Sequence, residues 1–65
     1  EQSERLAAAL DGLPDAQRVA VEMRFLQRMK VVEIARQMGR TEGAVSALLH
    51  RAVEALRGVL AELES

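Results

Sequence analysis

The 65-residue chain has no cysteine, no tryptophan and no tyrosine, and only one phenylalanine, one histidine and one proline. Each shortage removes a class of answer. Without cysteine there is neither a disulfide scaffold nor a thiolate zinc site, so a domain this small must be held by packing alone, which favours helices. The scarcity of aromatic rings removes the stacking platforms on which single-stranded and sequence-specific RNA recognition depend. The longest apolar run is five residues, Leu6 to Leu10, far short of the roughly 20 that cross a bilayer, and no signal-peptide pattern is present. These features predict a soluble, intracellular chain with no membrane partner. Enzymatic chemistry has little to stand on, with His50 as the one imidazole, Ser3 and Ser65 near the ends, and no phosphate-cradling glycine loop. Neither catalysis nor a small-molecule substrate nor a cofactor is expected, and His50 has no companions with which to hold a metal.

Apolar residues make up 49% and charged residues 29% of the chain, a balance that supports one globular core. The chain starts at Glu1 instead of methionine, which predicts a single domain over residues 1–65 excised from a longer polypeptide. The net charge of -1 averages three unlike segments. Residues 1–17 carry -3 and residues 58–65 carry -2, whereas residues 18–57 set eight cations against four carboxylates, for +4. The basic middle could meet phosphate, although on charge alone an ordinary solvated helical surface is the preferred reading.

Hydrophobic spacing and stop signals divide the chain into four helices. Ser3 can cap a helix to about Leu10, ended by Gly12, Leu13 and Pro14. Pro14 suits the first turn of a second helix, and Asp15 complements its dipole. In that helix Val19, Met23 and Leu26, with Ala16 and Ala20, form the buried stripe up to about Gln27. Val31, Ile34, Ala35 and Met38 mark a third helix, with Gly39 at the position after its end. Thr41 would cap a long fourth helix from Glu42 to about Leu63. Its core stripe is Val45, Leu49, Ala52, Leu56, Leu60 and Leu63, edged by Leu48 and Val59. Met23, Met29 and Met38 fall at helical intervals and read as core filler.

Residues 31–48 carry the informative constellation. A helix-turn-helix joins two helices by a turn of about three or four residues and restricts side chains at few positions. Ala35 is small where the helices approach, Gly39 supplies the turn's backbone, and Val45 plugs the angle. Ile34, Met38 and Leu48 add apolar contacts. The outward face of the fourth helix then holds Gly43, Ser46, Ala47, His50, Glu54 and Arg57, with no aliphatic side chain larger than alanine. Such a face can approach base edges in a major groove about 12 Å wide. Thr41 and the first N–H groups of the helix could hold a phosphate, with Arg40 and Arg51 flanking. A helical hairpin without a ligand would satisfy the same spacing.

Leu-Pro-Asp-Ala-Gln-Arg at 13–18, Glu33-Ile34-Ala35, Gly43-Ala44-Val45, His50-Arg51-Ala52 and Leu56-Arg57 together resemble region four of sigma factors, most closely the extracytoplasmic-function group of the sigma-70 family. The resemblance covers about residues 6–60. It implies a cytoplasmic bacterial transcription-initiation domain that reads the minus-35 element of double-stranded promoter DNA and docks on the flap of the RNA polymerase β subunit. It also implies that an anti-sigma factor could capture the domain. Family contacts carried onto this chain fall on Ser46, Ala47, His50 and Arg51, with Thr41 at the start of the helix.

Four departures accompany the likeness. The family usually has a lysine or arginine, then serine, then arginine where this chain has Ser46, Ala47 and Leu48. Lys30 replaces a serine or threonine cap, Arg28 stands where glycine is common, and Arg40 occupies a position that is often apolar. Low intrinsic DNA affinity is therefore expected, supported by Arg51, by phosphate contacts and by tethering to polymerase. The rival expectation is a helical interaction module that binds polymerase, an anti-sigma factor or itself, with little DNA binding of its own.

Overall fold

The computed structural model describes residues 2–64, and side chains from residue 4 to residue 62. Among these residues there are four helices and no strand. They are α1 (Gln2–Asp11), α2 (Asp15–Val21), α3 (Val31–Met38) and α4 (Glu42–Glu64), and α2 continues into one π-helical turn, Glu22–Leu26. The expected all-α bundle is the fold observed. Its extents are 34 × 19 × 19 Å, and the 23 residues of α4, at about 1.5 Å each, are long enough to set the long axis.

The first turn differs in detail from its sequence expectation. Ser3 lies inside α1 and not ahead of it, and its side chain is outside the described residues. Gly12 N–H donates to the carbonyls of Ala8 and Ala9, and Leu13 N–H to that of Leu10, each at 3.1–3.2 Å. Pro14 precedes the first helical residue of α2 with extended ψ of 146°, and its carbonyl accepts the first helical bond, from Arg18 N–H at 3.0 Å. Proline has no N–H to lose there, so it ends one helix and starts the next at no hydrogen-bond cost. Between the two, Leu13 turns inward and is 7% exposed.

The second helix departs most from the expected pattern. After Val21 the bonding widens by one residue, so that Gln27 N–H reaches the Glu22 carbonyl at 3.1 Å. A π turn rotates less per residue than an α turn, and the apolar stripe loses phase with the core. Ala20 and Val21 are buried and Met23 is half-buried, but Leu26, expected in the core, is 70% exposed and Phe25 beside it 57%. Arg28 then takes φ of 57°, the one non-glycine residue with positive φ among those described. Met29 N–H closes the loop by donating to the Met23 carbonyl at 2.9 Å.

Two small apolar clusters hold the helices together. Leu13, Val21, Ala52 and Leu56 form one, with Ala9, Leu10, Leu49 and Leu60 packed on it. Ile34, Ala35 and Val45 form the other, supported by Met23, Met29, Val31, Met38 and Leu49. The stripe expected on α4 is thus the seam observed, with Leu48 and Val59 half-buried at its edges; the Leu63 side chain lies outside the described residues. The three methionines do fill the second cluster. Leu49 touches both clusters and joins them. An exposed ion pair between Arg5 and Glu62 ties α1 to the far end of α4.

The left-handed backbone at Arg28 yields a prediction. A residue with a Cβ pays about 1–2 kcal/mol there, part of which glycine returns as unfolded-chain entropy. Arg28→Gly is expected to stabilise the chain by about 0.5–1 kcal/mol, raising its melting temperature by roughly 3–6 °C. Thermal unfolding followed by circular dichroism checks this.

Candidate nucleic-acid interface

The site begins with the end of α3. Gly39 adopts φ of 66° and ψ of 35°, a left-handed position that only glycine takes without steric cost. Arg40 N–H can then reach back to the Ala35 carbonyl at 3.0 Å, the bond that closes a Schellman helix end. Three residues, Gly39, Arg40 and Thr41, separate Met38 from the start of the next helix at Glu42. Thr41 Oγ1 accepts the Ala44 N–H at 3.1 Å, and the Thr41 carbonyl accepts Val45 N–H at 3.0 Å. Thr41 is therefore the N-cap that its sequence position predicted. The start of α3 is held differently from expectation. Lys30 has only donors on its side chain, but its backbone N–H donates to Glu33 Oε1 at 2.9 Å, so Glu33 supplies half of a capping box.

Ile34 and Val45 are wholly buried and Ala35 nearly so, which fixes the side of α4 that faces α3. The helical period sends the other side outward. Gly43, Ser46, Ala47, His50 and Arg51 are all exposed, as are Arg40 and Thr41 in the turn. The seven candidate residues share one continuous stretch of surface along the turn and the first three helical turns. A Cβ added at Gly43 would meet nothing nearer than Thr41 Oγ1 at 4.0 Å, so the domain's own packing does not demand glycine there. Glu54 and Arg57, on the same side further along, pair with each other.

Ion pairing separates the cations into two sets. Arg5, Arg18 and Arg57 each hold a carboxylate. Among the described residues Arg24, Arg28, Lys30, Arg36, Arg40 and Arg51 hold none. The unpaired set lies in the π turn, in the loop after it and in the helix-turn-helix, where Glu33 is engaged at the α3 cap. Of this set only Arg40 and Arg51 border the small side chains of α4, and a surface of that kind suits a polyanion of regular shape; Arg24 is engaged elsewhere, with the Met29 carbonyl and the Phe25 ring.

A second surface combines leucines near the start of the chain with the apolar stripe of α4, the parts that the rival interaction-module reading would use, but the share of Phe25, Leu26 and Val53 in it does not follow from the residues. Leu6 and Leu10 of α1, Val21, Phe25 and Leu26 of the second helix, and Val53, Leu56 and Leu60 of α4 line an open groove of about 340 Å³ with no polar lining. It shares no residue with the candidate DNA face. The available signal was Val53, an aliphatic residue off the buried stripe of α4, together with the adjacent pair Phe25 and Leu26 at a helix end. The assumption of a continuous α-helix through Leu26 concealed it.

With this geometry in hand, comparison with known proteins is specific. The family described as sigma-70, region 4, matches residues 3–56. The ECF RNA polymerase sigma factor BldN of Streptomyces coelicolor is 46% identical over 57 residues, which is 83% of this chain and 22% of that protein. The chain therefore spans about a fifth of the length of that relative. No solved structure matches it significantly.

The cap carries a measurable share of stability. Thr41→Ala leaves the Ala44 N–H without its acceptor and is expected to cost about 1 kcal/mol. Thr41→Ser should retain most of it. Urea unfolding of the two variants beside the parent gives the difference directly.

Proposed function

The chain belongs to the sigma-70 region 4 family, and from that membership we propose that it reads the minus-35 promoter element with the first turns of α4 while docking on core RNA polymerase through its apolar groove. The observation that carries the DNA half is the exposed face from Arg40 to Arg51, sealed on its inner side by Ile34 and Val45. In this reading α4 lies in the major groove with Ser46, Ala47 and His50 against base edges. Gly43 permits a close backbone approach, and Thr41, Arg40 and Arg51 set the register on phosphates. Phosphate contacts position the helix and base contacts carry the sequence information.

The groove supports the docking half. Its side chains Phe25 and Leu26 stand more than half exposed, an arrangement costly in water unless a partner covers it. An apolar helical segment of the polymerase β flap is the occupant that the family implies. The groove is also the surface an anti-sigma factor would compete for. Because the groove and the DNA face share no residue, both can be filled at once. Tethering by polymerase would then raise the effective concentration of a weak reader at its promoter, which suits a recognition helix with Ser46, Ala47 and Leu48 where the family usually has a basic residue, a serine and an arginine.

The second reading, an interaction module with little DNA binding, is favoured by those same three residues and by the groove. A low-salt titration separates the two. The chain is expected to bind a minus-35-like duplex more tightly than a scrambled one, whereas equal binding supports the interaction module. Arg51→Ala should weaken duplex binding and reduce the slope of log affinity against log salt by about one unit; an unchanged slope would remove Arg51 from the phosphate contacts. On the other surface, Leu26→Glu should change stability by less than about 0.5 kcal/mol, abolish binding to core polymerase, and leave duplex binding intact. A pull-down with core polymerase and a gel shift on the same variant read both outcomes.

A further inference from the structure

We infer that Arg24 is a positioning residue of the docking groove: its guanidinium holds the Phe25 ring upright as the groove's wall and fastens that wall to the loop leading into the helix-turn-helix. The inference rests on the docking role proposed above for the groove. It starts from a mechanical problem. Phe25 is 57% exposed at the end of a single π turn, beside an open apolar groove that its ring could fall into and fill. Something must keep the ring at the rim.

Arg24 is placed to do so. Its Cζ lies 5.9 Å from the centroid of the Phe25 ring, within the reach over which a cation is attracted to an aromatic face. Its Nη1 is directed at the Met29 carbonyl at 3.4 Å. No carboxylate competes for it, since Arg24 is in none of the ion pairs among the described residues. The guanidinium therefore covers one side of the ring and leaves the remainder for a partner.

Its second attachment gives the contact a wider consequence. Met29 is held to Met23 by its own N–H, and both methionines pack on Ile34, Ala35 and Val45. Through Met29 the wall of the groove is braced against the core of the helix-turn-helix. Arginine suits the task better than lysine, because a planar, weakly hydrated fork can lie on a ring and donate sideways at the same time.

The test is a double-mutant cycle read by fluorescence anisotropy of the labelled chain against the host's core RNA polymerase. Arg24→Gln is expected to weaken binding about fivefold with duplex affinity unchanged, and Arg24→Lys to fall between it and the parent. In a Phe25→Leu background, Arg24→Gln should have no further effect, because the ring it acts through is gone. Melting temperatures of all variants are measured alongside. Parental binding by Arg24→Gln, or the same fivefold loss in the Phe25→Leu background, overturns the inference. Should Phe25→Ala and Leu26→Glu both bind polymerase like the parent, the docking role itself fails and the inference with it. If those two lose binding while Arg24→Gln does not, only the positioning role falls.

Discussion

The contact on which the rest depends is the inner corner between α3 and α4, where Ile34 and Val45 lose all accessible surface against Ala35. Three conditions make it possible. Ala35 is small enough to let the second helix come close, Gly39 can adopt a left-handed backbone that reverses the chain in three residues, and Thr41 starts the next helix by accepting the Ala44 N–H. Once that corner is sealed, the opposite side of α4 has nowhere to face but solvent. The exposure of the candidate face from Arg40 to Arg51 is thus a geometric consequence of a packed core, not a separate construction.

The same helix organises the remainder. α4 supplies Val45 to one cluster and Ala52 and Leu56 to the other, and Leu49 belongs to both. A domain of this size buries only about 60% of the surface its unfolded chain exposes, so two modest clusters linked along one spine are what 65 residues can sustain. Apolar surface left over is gathered between α1, the π turn and α4 in place of being scattered. In the proposed reading that gathering makes a docking groove out of what the core could not absorb. The domain so presents a polar, cation-flanked face near one end of its longest helix and an apolar groove further along it.

Low basicity on the recognition helix and an open apolar groove fit one physical scheme. Weak contacts suffice when a second attachment holds the reader near its site, because the second event becomes intramolecular. Ser46, Ala47 and Leu48, where the family usually has a basic residue, a serine and an arginine, lower non-specific attraction to phosphate, which is the sequence-independent part of binding. In the proposed reading Arg40 and Arg51, outside any ion pair among the described residues, supply the flanking charge that orients the helix.

How much of this could be read without coordinates depends on the range of the interaction involved. Gly39, Thr41, the stripe from Val45 to Leu60 and the helix-turn-helix were legible, because a helix period, a cap and a left-handed turn are local properties of a few neighbouring residues. Outward exposure of Gly43, Ser46, Ala47, His50 and Arg51 followed from the same period. Leu13 stands in a Gly-Leu-Pro turn by sequence but is core in the fold, since its burial depends on where α4 passes. Leu26 was assigned to the core but is exposed, since a π turn forms only when packing of Val21 on one side and Met23 on the other makes the extra residue worth its poorer bonding. The sequence by itself determined four helices, the turn between the last two and the face that α4 turns outward. Only the tertiary structure decided the groove, because a surface built from α1, the π turn and α4 exists only when three segments distant along the chain come to rest beside one another.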